Sequence, residues 1–177
     1  MRIYLDACCL LRPLDDQSQH RIRVESEAVC VILELCGKGT HRWVSSEAVE
    51  DEVLRDPDED RRGMIGEMLR FTDERLVVDE RSIALARRLL SQGIGAMDAL
   101  HLAIAETGGC DVLLTTDDDL LRRAGELRPP LRLNVANPGR FPSPLRGSVA
   151  TCLCGYVPFG LSVFLRFCFL RFDFSTF

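Results

Sequence analysis

Lysine is almost missing from this chain: 21 of its 22 basic residues are arginine. Absent too are the patterns by which several protein classes announce themselves. The eight cysteines fall as an adjacent pair (Cys8, Cys9), three isolated residues (Cys30, Cys36, Cys110) and a late group (Cys152, Cys154, Cys168). They show no CxxC and no cysteine/histidine ligand spacing, which argues against a zinc framework. There is no P-loop and no DxDxT, so phosphate-cradling NTPase chemistry and an aspartyl nucleophile of that type have no seat here. The opening MRIYLDACCLLRPLDD meets Asp6 almost at once and lacks the uninterrupted apolar run of a signal peptide; a reducing cytoplasm is the expected compartment. A formal net charge of −5 does not suit a nucleic-acid binder of the basic-patch kind, although arginine's planar fork matches phosphate oxygens.

What is present is enough chain for one domain with a proper core, at 177 residues. Composition shifts near Pro138. Eight of the nine phenylalanines lie beyond it, and the first 138 residues carry a net −8 against +3 for the remainder. Two regions follow: a body over 1–138 and a Phe-rich tail over 139–177. No internal repeat is visible.

In the body, short β-branched runs alternate with longer amphipathic ones, the pattern of an α/β domain with a largely parallel sheet. Strands are expected over Arg2–Asp6, His41–Ser45, Arg75–Val78, Asp111–Thr115 and Leu131–Val135. Helices are expected over Glu25–Cys36, Ser46–Arg55, Arg61–Phe71, Glu80–Gln92 and Ala96–Thr107. Pro57 closes the second of these, and the Gly93-Ile94-Gly95 turn leads into the last.

Asp6 and Asp117 each stand at the carboxyl end of an expected strand. Ligands of parallel α/β sheets bind beyond those ends, so the two carboxylates project into one crevice if their strands are neighbours. Asp98 lies near the first turn of a helix that is otherwise apolar (Ala99, Leu100, Leu102, Ala103, Ile104). In VSSEAVEDEVLRD, Val49 and Val53 mark an inner face. Glu52 lies on its edge, while Glu47, Glu50 and Asp51 read as a solvated face. Taken singly, Asp117 serves equally as a helix N-cap, with Asp118 and Asp119 complementing the dipole of the first turn or reaching a second metal, and Asp98 also fits a helix start. Together they ask for a cation. Two carboxylates about 4 Å apart repel by about 4 kcal/mol at an effective dielectric near 20. Oxygen ligands favour Mg²⁺ or Mn²⁺, which activate water and clamp phosphoryl oxygens. His101, three residues after Asp98, reads as a partly buried helix histidine, because no second histidine accompanies it to make a zinc pair.

These residues resemble a known family. YLDACCLLRPLDD, VSSEAVEDEVLRDPD, GAMDALHLAIAETGGCDVLLTTDDDLLRRA and LNVANP, in that order over 1–138, are similar to PIN-domain nucleases and to the VapC-like ribonuclease toxins of toxin-antitoxin pairs. The resemblance implies a three-layer α/β/α fold on a five-stranded sheet. It also implies Mg²⁺- or Mn²⁺-dependent hydrolysis of RNA by Asp6, Glu52, Asp98 and Asp117. Asp6, Asp98 and Asp117 would hold the metal, supported by Ser46 (or Ser45), Thr115 and Thr116. Arg12 is a candidate for substrate contact, and Arg21, Arg23 and Arg122 are further candidates to guide the RNA backbone. A cognate antitoxin and a homodimer are implied partners. One position departs: Leu11 stands where relatives often carry Asn.

The tail has 19 consecutive uncharged residues from Gly147 to Leu165, nearly a membrane span, but Ser, Thr, Gly and Pro158 dilute it, and a soluble protein is expected. LRFCFLRFDF suits an added strand or dimer contact, or the tail is no selected part of the fold. Rival readings of the whole are a stand-alone RNA-processing nuclease, another Mg²⁺-dependent phosphoesterase, and an inactive binding module.

Overall fold

Four residues, Arg-Ile-Tyr-Leu, make the central strand. In β1 (Arg2–Leu5) the last three side chains are fully buried, because strands on both sides and helices on both faces cover it. The computed structural model describes residues 1–141. In chain order these give β1, α1 (Ala7–Leu11), a 3₁₀ turn (Arg12–Leu14), α2 (His20–Gly37), β2 (Arg42–Ser46), α3 (Glu47–Leu54) and α4 (Glu59–Leu69). Then come β3 (Glu74–Leu76), α5 (Glu80–Ser91), α6 (Ala96–Thr107), β4 (Val112–Leu114), α7 (Asp118–Glu126), β5 (Asn134–Ala136) and a closing 3₁₀ turn (Pro138–Arg140).

The sheet runs β3-β2-β1-β4-β5, and every neighbouring pair is parallel. From β1 the chain steps outward through β2 to β3, then crosses back to β4 and steps outward again to β5. Right-handed crossovers taken in opposite directions place helices on opposite faces. The order therefore reverses between β1 and β4, where Leu5 pairs with Leu114. The expected α/β/α architecture is the one observed, and the residue following each of these two strands opens on the switch-point crevice.

The differences from expectation have physical causes. Helix α2 starts at His20 rather than Glu25, because its first turn is polar and Val24 stays exposed, so no apolar period marks it. Helix α1 is one short, wholly apolar turn, ACCLL, without periodicity to read. Strand β5 begins at Asn134 instead of Leu131. The backbone N–H groups of Arg132 and Leu133 donate to the Glu106 carboxylate, at 3.2 and 2.8 Å, before the ladder starts. At Gly108 a Cβ would meet Leu76 Cδ1 at 2.4 Å and the Ile104 carbonyl oxygen at 2.8 Å; only glycine lets α6 end against β3 there.

Packing continues past Pro138: Phe141 is buried in the core cluster, and Asn137 caps the closing turn. Among the described residues no helix is long and apolar enough to cross a membrane, and the five cysteines there are free thiols. The expectations for the tail from 142 onward, including the uncharged run, lie outside the described residues.

Candidate active site

Asp6 occupies an N-cap position at the start of α1 with extended backbone, yet its side chain makes no capping bond. The carboxylate is buried and turned to the crevice, where Oδ2 accepts from Thr115 Oγ1 at 2.7 Å and from the Cys8 thiol at 3.1 Å. Thr115 has one hydroxyl hydrogen, and it goes to Asp6. Its oxygen accepts the Asp117 backbone N–H at 3.1 Å, so one hydroxyl ties the residue after β1 to the loop after β4. The Thr116 side chain is buried without this role; its backbone N–H donates to Cys8 Sγ at 3.3 Å and its carbonyl accepts from Arg21 at 3.2 Å.

Asp117 is the N-cap of α7. Oδ1 accepts the N–H groups of Asp119 and Leu120 at 2.7 and 3.2 Å. The run of three acids divides accordingly: Asp118 is held by Arg21 at 2.6 Å, and Asp119 by Arg122 and Arg123 at 2.5 and 2.6 Å.

Asp98 sits in the first turn of α6, half-buried. Burial, first of all, raises its carboxyl above the ordinary range; the charges of Asp6 and Asp117 push the same way, and His101 opposes them. Its carboxylate lies over Gly95, where an added Cβ would come within 2.9 Å of Asp98 Oδ2. Gly95→Ala is therefore expected to fold with a loss of at most about 1 kcal/mol, as Ala caps a helix less well than Gly. It should lower any activity that depends on Asp98 by about tenfold or more through displacement of that carboxylate. Urea denaturation and turnover measured together check this, and unchanged turnover would show that the position of Asp98 is immaterial.

Of the four acids on α3, three face away from Asp6. Glu50 and Glu47 pair with Arg75 at 2.6 and 3.3 Å, and Asp51 pairs with Arg55 at 2.6 Å. Glu52 turns inward and bonds His101 Nε2 through Oε2 at 2.9 Å. His101 is fully buried, not partly, and Nε2 also lies 3.9 Å from Asp6 Oδ1. Atoms of Asp6, Glu52 and His101 all lie within 4.8 Å of one another. His101 thus belongs to the site, which its reading as a bland helix histidine missed. The available signal was that a buried imidazole needs a partner at each nitrogen, and Asp98 lies one turn before it. Burial lowers the imidazole's proton affinity, but the Glu52 hydrogen bond and the charges of Asp6, Glu52 and Asp98 outweigh it, so the net shift is upward.

The second partner is Tyr4. Its hydroxyl lies 2.8 Å from His101 Nδ1 and 2.6 Å from Ser46 Oγ, and Ser46 also caps α3 by accepting the Val49 N–H at 3.3 Å. Burial pushes the Tyr4 phenol far above its usual range, so it keeps its hydrogen. Ser46 therefore reaches the site through Tyr4; Ser45 is buried in β2, and its hydroxyl finds no hydrogen-bond partner among the described residues.

The arginines proposed for RNA are already engaged. Arg12 is held between Glu25 and Asp15 at 2.9 and 3.1 Å, Arg21 between Glu25 and Asp118, and Arg122 between Asp119 and Glu126; Arg23 bonds His20, at 3.3 Å. Leu11, the departure from the family pattern, packs against the core.

The upward shifts have a consequence for protein stripped of metal by a chelator. Asp98 and His101 hold protons more tightly folded than unfolded. Their contribution to stability is thus complete below the unfolded values, about 3.9 and 6.5, and is lost as the pH rises through the higher folded ones. The Tm in chelator is expected to fall as the pH rises above the unfolded values, and Asp98→Asn to flatten that fall; a Tm that rises with pH would contradict it.

A doubly wound parallel sheet carrying carboxylates at its switch point defines a class of α/β protein whose ligands bind at that edge, and the group of Asp6, Glu52 and His101 could hold a metal ion there. The chain belongs to the PIN domain family: the family model matches residues 3–127, and PIN proteins are nucleases that generally depend on a divalent metal. The fold is similar to FitAcB from Neisseria gonorrhoeae, with 19% identity and a TM-score of 0.50 over 78% of this chain and 99% of that one. It is also similar to VapBC2 from Rickettsia felis, solved bound to a DNA fragment from its promoter, with 16% identity and a TM-score of 0.52 over 76% of this chain and 98% of that one. A search of curated proteins finds no match.

Proposed function

We propose that this protein is a Mg²⁺- or Mn²⁺-dependent endoribonuclease, the toxin of a toxin-antitoxin pair. One observation carries the reading. Asp6 and Glu52 come together with His101 at the switch point, and burial first, then the charges of Asp6 and Asp117, raises the Asp98 carboxyl, so Asp98 and Asp117 belong to the same acidic group. Such a set fits a hard divalent cation, whose charge offsets the repulsion among the carboxylates.

Asp6, Asp98 and Asp117 would hold the ion. When bound, it lowers the pKa of water and offsets charge on the phosphoryl oxygens. The protein's own groups do the positioning. Thr115 fixes Asp6, Gly95 leaves room for Asp98, and the capping bonds to Oδ1 leave the second oxygen of Asp117 for the crevice. Glu52, held by His101, accepts a hydrogen bond from the attacking water and orients it toward phosphorus. The products are a 3′-hydroxyl and a 5′-phosphate. A cognate antitoxin places an Arg or Lys in the same acidic crevice, where its charge substitutes for the ion's. The protein acts in the cytoplasm, and homodimerisation is part of the reading.

The test is labelled single-stranded RNA against DNA of the same sequence, with Mn²⁺ and with EDTA. Cleavage of RNA alone, abolished by EDTA, is expected. Hydrolysis of a generic phosphomonoester instead would favour another phosphoesterase, and no turnover of any phosphate ester would favour a binding module.

A further inference from the structure

The structure assigns His101 as a positioning residue for Glu52 rather than a metal ligand, its ring set by a hydrogen-bonded relay from Ser46 through Tyr4. The inference rests on the proposed nuclease reading for its kinetic consequence only; the hydrogen-bond geometry stands without it.

His101 lies within reach of both Asp6 and Glu52, so by proximity alone it qualifies as a nitrogen ligand to any ion held there. The hydrogens decide otherwise. In a neutral ring, Ser46 donates to the Tyr4 oxygen, Tyr4 donates to Nδ1, and Nε2–H donates to Glu52. In a charged ring, Nδ1–H donates to Tyr4, Tyr4 donates to Ser46, and Nε2–H again donates to Glu52. The first direction uses every hydrogen in the relay, and the second leaves the Ser46 hydroxyl hydrogen outside it. Both leave Nε2 with a hydrogen facing a carboxylate oxygen at 2.9 Å and no lone pair for a metal. The remaining tautomer points the Nε2 lone pair at the lone pairs of Glu52 Oε2, a repulsive contact in a buried site.

The members sit on rigid elements. Tyr4 is fully buried in the central strand, Ser46 closes β2 and caps α3, and His101 lies midway along α6. The relay therefore joins the strand that leads into Asp6, the helix that carries Glu52 and the helix that carries Asp98. Glu52, part-exposed at the end of a flexible side chain, is the acid with most freedom to lose, and the imidazole holds it.

Nitrogen-15 NMR of the full chain, with His101 distinguished from His20 and His41 by substitution of the latter two, reads the tautomer directly. Nε2 is expected to carry hydrogen both in metal-free protein and in saturating Mg²⁺; conversion of Nε2 to an unprotonated ligand nitrogen on adding Mg²⁺ would overturn the assignment. In RNA cleavage, Tyr4→Phe is expected to lower kcat about tenfold with KM within about twofold, and His101→Leu to lower kcat about 100-fold. His101→Gln, whose amide N–H stands in for Nε2–H, should recover kcat to within about fivefold of wild type. An equal loss in the Gln and Leu variants, or wild-type kcat in Tyr4→Phe, would also overturn it. Circular dichroism melts of each variant separate these effects from unfolding. If the wild type cleaves no RNA, the proposed function fails, while the NMR outcome still decides the tautomer.

Discussion

Asp6→Asn is expected to reduce metal-dependent RNA cleavage by about 10³-fold, equivalent to about 4 kcal/mol of transition-state stabilisation. The same substitution should leave the chelated protein no less stable than wild type. The two effects have one origin. Asp6 is buried, accepts bonds from Thr115 and Cys8, and shares its crevice with Asp98 and Glu52. Among the acids of the crevice its charge is the one most fully withdrawn from water, so removing it deprives a cation of its best-placed ligand. An amide of the same shape can still accept the Thr115 hydroxyl, and repulsion with Asp98 disappears. A purely structural Asp6 behaves in the opposite way, with lost stability and activity following it. Measuring Tm in EDTA beside the cleavage rate distinguishes the two.

Glu25→Ala is expected to cost about 3 kcal/mol of stability. Glu25 is a buried carboxylate on α2. Oε1 accepts from Arg21 and from the Asn137 side-chain amide, both at 2.8 Å, and Oε2 pairs with Arg12 at 2.9 Å. It fastens α2 to the turn after α1 on one side and to the turn that closes the domain on the other. Removing one partner of a buried charge network commonly costs about 3–5 kcal/mol because the others are left unpaired. The lower figure applies since the Arg21 guanidinium is about half exposed and rehydrates. Urea denaturation checks the value. A loss below about 0.5 kcal/mol would mean that Arg12 and Asn137 find other partners.

The fold was legible in the sequence because its strands are short apolar runs and its helices keep their period. All five strands lie within three residues of where the pattern places them, even β5, displaced by the Glu106 carboxylate. The placement of Asp6 was legible for the same reason: an acid directly after an apolar run sits at a strand's carboxyl end, and Asp117 follows its own run after two threonines. Residues whose meaning depends on a partner far along the chain were not legible. His101 gains its role from Tyr4 and Glu52, which lie 97 and 49 positions away, and neither is marked by spacing. Glu25 likewise reads as one more charge on an amphipathic helix until Asn137 folds back on it, 112 residues later. The two carboxylates that hold Arg12 were not legible either, because a lone arginine in a sequence does not reveal its counter-ions.

Crystals soaked in Mn²⁺ and measured at an anomalous-scattering wavelength test the site most directly. A peak bonded to carboxylate oxygens of Asp6, Asp98 and Asp117, at about 2.1 Å, is the expected result. A protein that cleaves RNA in the same buffer with no manganese at these carboxylates, or with its only ion elsewhere, would contradict it.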